Sequence, residues 1–543
     1  MSKPSSRVLD GATLDRRRFL AATSALALVP VAGLGAQTSA GAPLGPVGQR
    51  ARAARALALR KQAAQMARDR PVWPQESNGD EQLYARKFAN FTKGLPHDGY
   101  GEVDRSAYRA LIDALESGLP EQFEAIPLGG ERRLVNPQAA LAFDLEGADS
   151  HSLTMRPAPA LASAEAASEL VENYWLAESR DVSFVDYGTH PVIAAATIEL
   201  SRMTAFTGPR QRGAVTPDTI FRGSTAGDRT GPWLSQFLWL DVPMGAVQVR
   251  QTMRTAVAGL DYLTTYDDWL RAQNGAAVEP VVHDQSVRYI RNLRDLGEWV
   301  HVDALYQAYH QACLILLALA APFDRGNPYN GSRCQDGFGT FGGPHILSLV
   351  TEVATRALKA VWFQKWAVHR RLRPEAMAGL VHHTRRGTRR YPLHPDLLQS
   401  TVLDRVASRH GTCLLPAAFP EGSPMHPSYG AGHATVAGAC VTVLKAWFDE
   451  SYVLPDPVIA DRDGFSLLPY TGPPLTIGGE LNKLAANVAI GRNAAGVHYR
   501  SDYWESVQLG EQVALTVLEE QRDTYNEPFS FTFKRFDGSR VTV

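Results

Sequence analysis

The sequence predicts a mainly α-helical protein. Apolar residues recur at three- and four-residue spacing over long segments, Pro- and Gly-rich connections separate those segments, and one short stretch near the C-terminus alternates like a strand. Arg50–Arg70 is rich in Ala, Arg and Leu at helical spacing and is stopped by Pro71 and Pro74. Ser106–Ser117, Ala162–Ala177 and Val192–Phe206 follow on the same grounds. Residues 118–160 are turn-rich, so short strands or surface loops are expected there. From Met244 onward helices are expected over about 247–271, 301–320, 345–372, 432–448, 480–493 and 501–521. Phe529–Phe536 alternates apolar and polar residues and reads as a terminal strand or hairpin arm.

A chain of 543 residues can form two or three domain-sized units or one large body. Apolar residues make up 45% and charged residues 20%, the composition of an ordinary soluble protein. The formal net charge of −1 argues against nucleic acid or an anionic membrane as partner, so any anion site must be local. The longest apolar run, Ala312–Pro322, is too short to span a membrane. Residues 1–42 stand apart: Arg16-Arg17-Arg18-Phe19-Leu20 precedes a weakly apolar stretch, resembling a twin-arginine export signal with cleavage after Ala36, Ala40 or Ala42. The plain alternative is a frayed basic N-terminus. On this reading 43–240 is a helical region packing on the core, 241–543 carries the chemistry, and the mature protein is periplasmic or extracellular. Cys313 and Cys440 lie in apolar helical sequence and are expected to be buried thiols. Cys334 and Cys413 lie in loops, where an oxidising compartment permits a disulfide without requiring one.

Three segments carry chemistry. In the first, Ala354, Leu358, Val361, Lys365 and His369 form one helical stripe that passes from apolar to cationic, beside Arg370, Arg371 and Arg373. Arg373 precedes Pro374, which swings it out of the helix, so Lys365 and Arg373 can approach one point from different directions. A solvated basic helix end is the bland reading. In the second, Gly430-Ala431-Gly432-His433 opens a dense apolar helix, where free backbone N–H groups suit an anion and His433 suits acid–base work. In the third, Leu484, Val488 and Arg492 form a core-facing row, His498 follows after a turn, and Asp502 stands four residues on, placed to hold one ring nitrogen of His498. Each is weak alone; together they specify a cage for one oxyanion.

These motifs resemble the oxyanion site shared by vanadium-dependent haloperoxidases and related acid phosphatases. Ala89–His97, Arg291–Asp295, His301–Tyr309 and Phe338–His345 further resemble the algal-type bromoperoxidases, a likeness running from about residue 55 to about 515. The resemblance implies two four-helix bundles with minor β structure near the C-terminus, orthovanadate as cofactor, and a homo-oligomer. It also implies hydrogen peroxide, bromide or iodide, and a small organic acceptor as reactants. Carried residue by residue, it puts equatorial contacts on Lys365, Arg373, the Gly432 amide and Arg492. The axial vanadium ligand falls on His498, the acid–base histidine on His433, and the halide environment on His426 and Trp362. Calcium is left open. One departure matters: Ala431 stands where the family has a serine that donates to vanadate, a loss of about 1.5–3 kcal/mol if that oxygen goes unpaired. A phosphatase using His498 as phosphoryl acceptor, and a non-catalytic oxyanion-binding protein, are the competing functions.

Overall fold

The computed structural model describes residues 48–543; the expected signal and its cleavage sites lie outside the described residues. The chain divides into a unit ending at Arg60 and a unit Lys61–Val543. The helix Gln49–Asp69 runs through that boundary with none of its residues buried.

Four long helices, Gly343–Phe363, Gly432–Trp447, Ile477–Ala494 and Arg500–Gln521, pack on one another as the central bundle. Gly432–Trp447 is its axis and is buried along nearly its whole length. It meets Arg500–Gln521 at backbone contact. A Cβ on Gly438 would lie 2.1 Å from the Val507 carbonyl, and one on Gly510 would lie 1.9 Å from that of Thr435. Only glycine permits that approach. A second group gathers round Ala164–Glu178, which packs on Pro191–Arg202, Pro374–Arg386 and Thr401–His410. One continuous apolar core joins the two groups. Among the described residues, no helix is long and apolar enough to cross a membrane.

The helix expected over 247–271 does not form. That stretch holds strand Val247–Val249, strand Met253–Ala256 and only a short helix, Tyr266–Gln273. Val247, Val249, Thr252, Thr255 and Val257 are β-branched and Gly259 breaks the run, so the sequence prefers extended backbone until Thr265 caps the short helix. The helix expected over 301–320 is also divided. Leu293–Val302 ends at Asp303, which is extended (φ −64°, ψ 148°), and Gln307–Ala318 begins afresh. β structure is more widely spread than expected: among the described residues there are four two-stranded antiparallel sheets, and Thr532–Lys534 with Arg540–Thr542 forms the terminal one. Residues 118–160 hold one short helix, short turns and loops. All four cysteines are free thiols, with Cys313, Cys413 and Cys440 buried and Cys334 exposed.

Candidate active site

The Gly343–Phe363 helix continues as a wide π-type turn, Gln364–His369, and ends at Arg370 in the left-handed region (φ 41°). Arg373 is extended (φ −80°, ψ 158°), as a residue before proline must be. Lys365 and Arg373 therefore reach the same loop from two sides. Lys365 Nζ donates to the carbonyls of Pro427 (2.7 Å) and Ser428 (3.0 Å). Arg373 donates from Nε to the His426 carbonyl (2.9 Å) and from Nη2 to His426 Nδ1 (2.9 Å). Its Nη1 reaches the Val497 carbonyl (2.9 Å) and His498 Nε2 (3.1 Å). Arg492 completes the row Leu484, Val488, Arg492; its Nη1 donates to the Val300 carbonyl (2.8 Å), and its buried Nε has no hydrogen-bond partner among the described residues.

All three cations are buried, and their direct partners are neutral carbonyls and imidazoles; among the described residues none forms an ion pair. Burial, then the charges of Arg373 and Arg492, hold the Lys365 ammonium well below its ordinary range despite a distant pull from Asp502. Burial also pushes Arg373 down to about 9, against Glu375 and Asp502. Arg492 is lowered by burial, with Asp303 and Glu421 opposing. Three mutually repelling cations in a water-poor interior are costly, and an anion among them reverses that cost.

His498 faces this cluster. Its Nδ1 lies 2.8 Å from Asp502 Oδ2, and Asp502 also accepts from Arg371 Nη1 (2.9 Å), the Ser428 hydroxyl and the Tyr499 amide (3.1 Å). A carboxylate paired with Arg371 is an acceptor, so the ring proton sits on Nδ1 and Nε2 keeps its lone pair. Burial, then Arg373, Lys365 and Arg492, keep this ring neutral. His433, at the start of the Gly432–Trp447 helix, directs Nε2 at Asp303 Oδ1 (2.9 Å), leaving its Nδ1 as the basic atom. Burial, opposed by Asp303 and reinforced by Arg492 and Lys365, lowers its basicity, so it is neutral at neutral pH. The helix start bears no side-chain cap, and the Gly432 amide belongs to its unpaired first turn. A Cβ on Gly432 would sit 3.3 Å from Trp362, so glycine lets that indole close over the helix start. Trp362 lies 4.9 Å from His426, ring to ring, and 5.8 Å from Lys365 Nζ.

Lys365, Arg373, Gly432, His433, Arg492 and His498 are thus gathered, with Asp502 behind His498 and the Trp362–His426 pair to one side. Arg370 turns away and pairs with Glu81 (2.6 Å). Arg371 is held between Glu169 and Asp502 (2.9 Å each) rather than in the cage. Asp303, Ser428 and the Val300 carbonyl were not singled out in the sequence. Their contacts span 74 to 192 residues, and one uses a backbone atom, which no spacing rule detects. The arrangement offers a lone-pair nitrogen, three cations and a helix start at one focus, with a second histidine free to move a proton. Such a set has the chemistry to bind and neutralise an anion.

Fold and site together define a helical-bundle protein of the vanadium haloperoxidase class. Residues 346–527, which include every one of these site positions except Asp303 and the Val300 carbonyl, match the family model described as the VCPO second helical-bundle domain. The chain is 38% identical to vanadium-dependent bromoperoxidases of Corallina pilulifera and Corallina officinalis, over 91% of its length and 98% of theirs. It is 38% identical to that of Ascophyllum nodosum over 86% of this chain and 88% of that one. The structure resembles the homohexameric second vanadate-dependent bromoperoxidase of Ascophyllum nodosum, with TM-score 0.87 and 31% identity, covering 92% of this chain and 91% of the other. The chain belongs to the vanadium-dependent bromoperoxidase family.

Proposed function

We propose that this protein oxidises bromide and iodide with hydrogen peroxide, releasing hypohalous acid that halogenates small organic acceptors. The observation that carries this reading is the set of three buried cations with neutral partners around the lone-pair Nε2 of His498, which Arg373 already approaches. Vanadate, when bound, supplies a Lewis acid that activates peroxide toward halide without changing oxidation state. His498 Nε2 would be the nitrogen that holds it, and Lys365, Arg373, Arg492 and the Gly432 amide would hold its oxygens. Asp502, fixed by Arg371 and Ser428, keeps the His498 lone pair in place. His433 takes the proton of incoming peroxide, its ring oriented by Asp303. Peroxide- and bromide-dependent bromination of a probe by vanadate-loaded protein tests the proposal. Hydrolysis of a phosphate monoester without halide oxidation would support the phosphatase reading instead. A homo-oligomer is supported by the hexameric relative. Export through a twin-arginine signal rests on Arg16-Arg17 and the residues after it.

Trp362 and His426 make one wall of the site aromatic, which suits the larger, less strongly hydrated halides. Bromide is expected to exceed chloride in kcat/KM at neutral pH by at least about tenfold, a difference of about 1.4 kcal/mol. Steady-state assays with each halide decide it, and robust chlorination would refute the assignment.

Ala431 occupies the N-cap position (φ −86°, ψ 124°) of the Gly432–Trp447 helix, and its amide donates to Ser506 Oγ (2.7 Å). A serine there can accept from the first turn while donating to the oxyanion. Ala431→Ser is therefore expected to tighten vanadate binding about tenfold and to stabilise the fold by about 1 kcal/mol through the cap. Calorimetric titration and thermal unfolding measure the two effects. A fall in affinity would mean that the hydroxyl points away from the site, and Gly432 would lose its case as an amide donor.

A further inference from the structure

The end of the Leu293–Val302 helix makes two contacts with the site: the Val300 carbonyl accepts from Arg492, and Asp303 holds His433. Between them stands His301, whose ring lies flat on Phe419 with centroids 3.7 Å apart and planes 7° apart. His301 Nε2 meets Glu421 Oε1 at 2.8 Å, and Nδ1 faces Glu298 Oε2 at 3.6 Å. Glu298 is held in turn by His283 through its other oxygen (2.7 Å). The Arg492 guanidinium lies 5.8 Å from the same Phe419 ring. An imidazole with a carboxylate at each nitrogen is suited to carry a positive charge, and as a cation it ties the helix end to the loop that also holds His426 and Ser428.

We propose that His301 is a positioning residue, an imidazolium clip between Glu421 and Glu298 that fixes the Val300–Asp303 turn and so aims both Arg492 and His433. The proposal rests on the oxyanion role assigned to Arg492 above. The charged groups facing His301 are Glu298 on its own helix, Glu421 from the loop and Arg492 from the Ile477–Ala494 helix. His283 acts behind Glu298, and Arg132 near Glu421. Burial opposes the charge of His301, but the two carboxylates outweigh it and Arg492, and its proton is held above the ordinary histidine range. The sign follows: the clip is complete below the ordinary histidine range and is lost as pH rises through the raised value.

Three forms of the full-length protein separate this from a packing role: wild type, His301→Gln and His301→Arg. Vanadate binding is read by calorimetry between pH 6 and 9, alongside bromination rates. A planar, permanently charged arginine can stack on Phe419 and pair with both glutamates. The Arg variant is expected to match wild-type affinity at pH 6 and to exceed it progressively as pH rises. The Gln variant is expected to bind at least about tenfold more weakly at pH 6. Glu421→Gln should reproduce that loss, and it serves should the Gln variant fail to fold. Wild-type affinity in the Gln variant, or a constant ratio of wild type to the Arg variant across pH, would overturn the clip. Vanadate binding with no halide oxidation in any form would instead count against the haloperoxidase reading and leave this test intact.

Discussion

Replacing His498 by alanine is expected to abolish vanadate retention and bromide oxidation together while leaving the fold in place. His498 Nε2 is the lone-pair nitrogen directed at the cation cluster, since Asp502 takes the proton side of the ring. Its loss removes an inner ligand, and the effect should exceed the ten- to hundredfold that removal of an outer partner costs. The surroundings survive the change. Asp502 keeps Arg371, Ser428 and the Tyr499 amide, so the start of the Arg500–Gln521 helix stays capped. Arg373 keeps the Val497 and His426 carbonyls. Vanadium content after dialysis, bromination rate and thermal unfolding on the same preparation measure the three parts. Stoichiometric vanadium in the variant would remove His498 from its assigned place.

What could be read from the sequence was what local spacing encodes. Leu484, Val488 and Arg492 share a helical face, so a cation at the end of an apolar row announced itself. The four-residue step from His498 to Asp502 spans one turn, and the structure makes that contact at 2.8 Å. Arg373 before Pro374 was legible because a proline restricts the residue ahead of it. The π-type turn at Gln364–His369 was not, since nothing in that stretch distinguishes it from a continuing helix. Neither was the break at Asp303. Periodicity runs on through 301–320, and the residue leaves the helical region where its carboxylate meets His433, a contact across 130 residues. The basic run 370–373 illustrates the same limit: composition grouped its arginines, whereas folding sent Arg370 to Glu81, Arg371 to Asp502 and only Arg373 to the cage.

His433→Ala is expected to separate the two halves of the chemistry, retaining vanadate while losing turnover. The cations and the His498 nitrogen owe nothing to the His433 ring: their contacts are to the 426–428 loop, Val300, Val497 and one another. Affinity should therefore change only a few-fold. The ring instead supplies a neutral base, with Nε2 tied to Asp303 and Nδ1 available, in surroundings that keep it unprotonated at neutral pH. Removing a positioned general base costs about 10²- to 10⁴-fold in rate. The loss should appear in kcat with vanadium content near that of wild type. His498→Ala should lose both. Should the two variants shed vanadium equally, the histidines would act as one ligand set, and the assignment of proton transfer to His433 would have to be withdrawn.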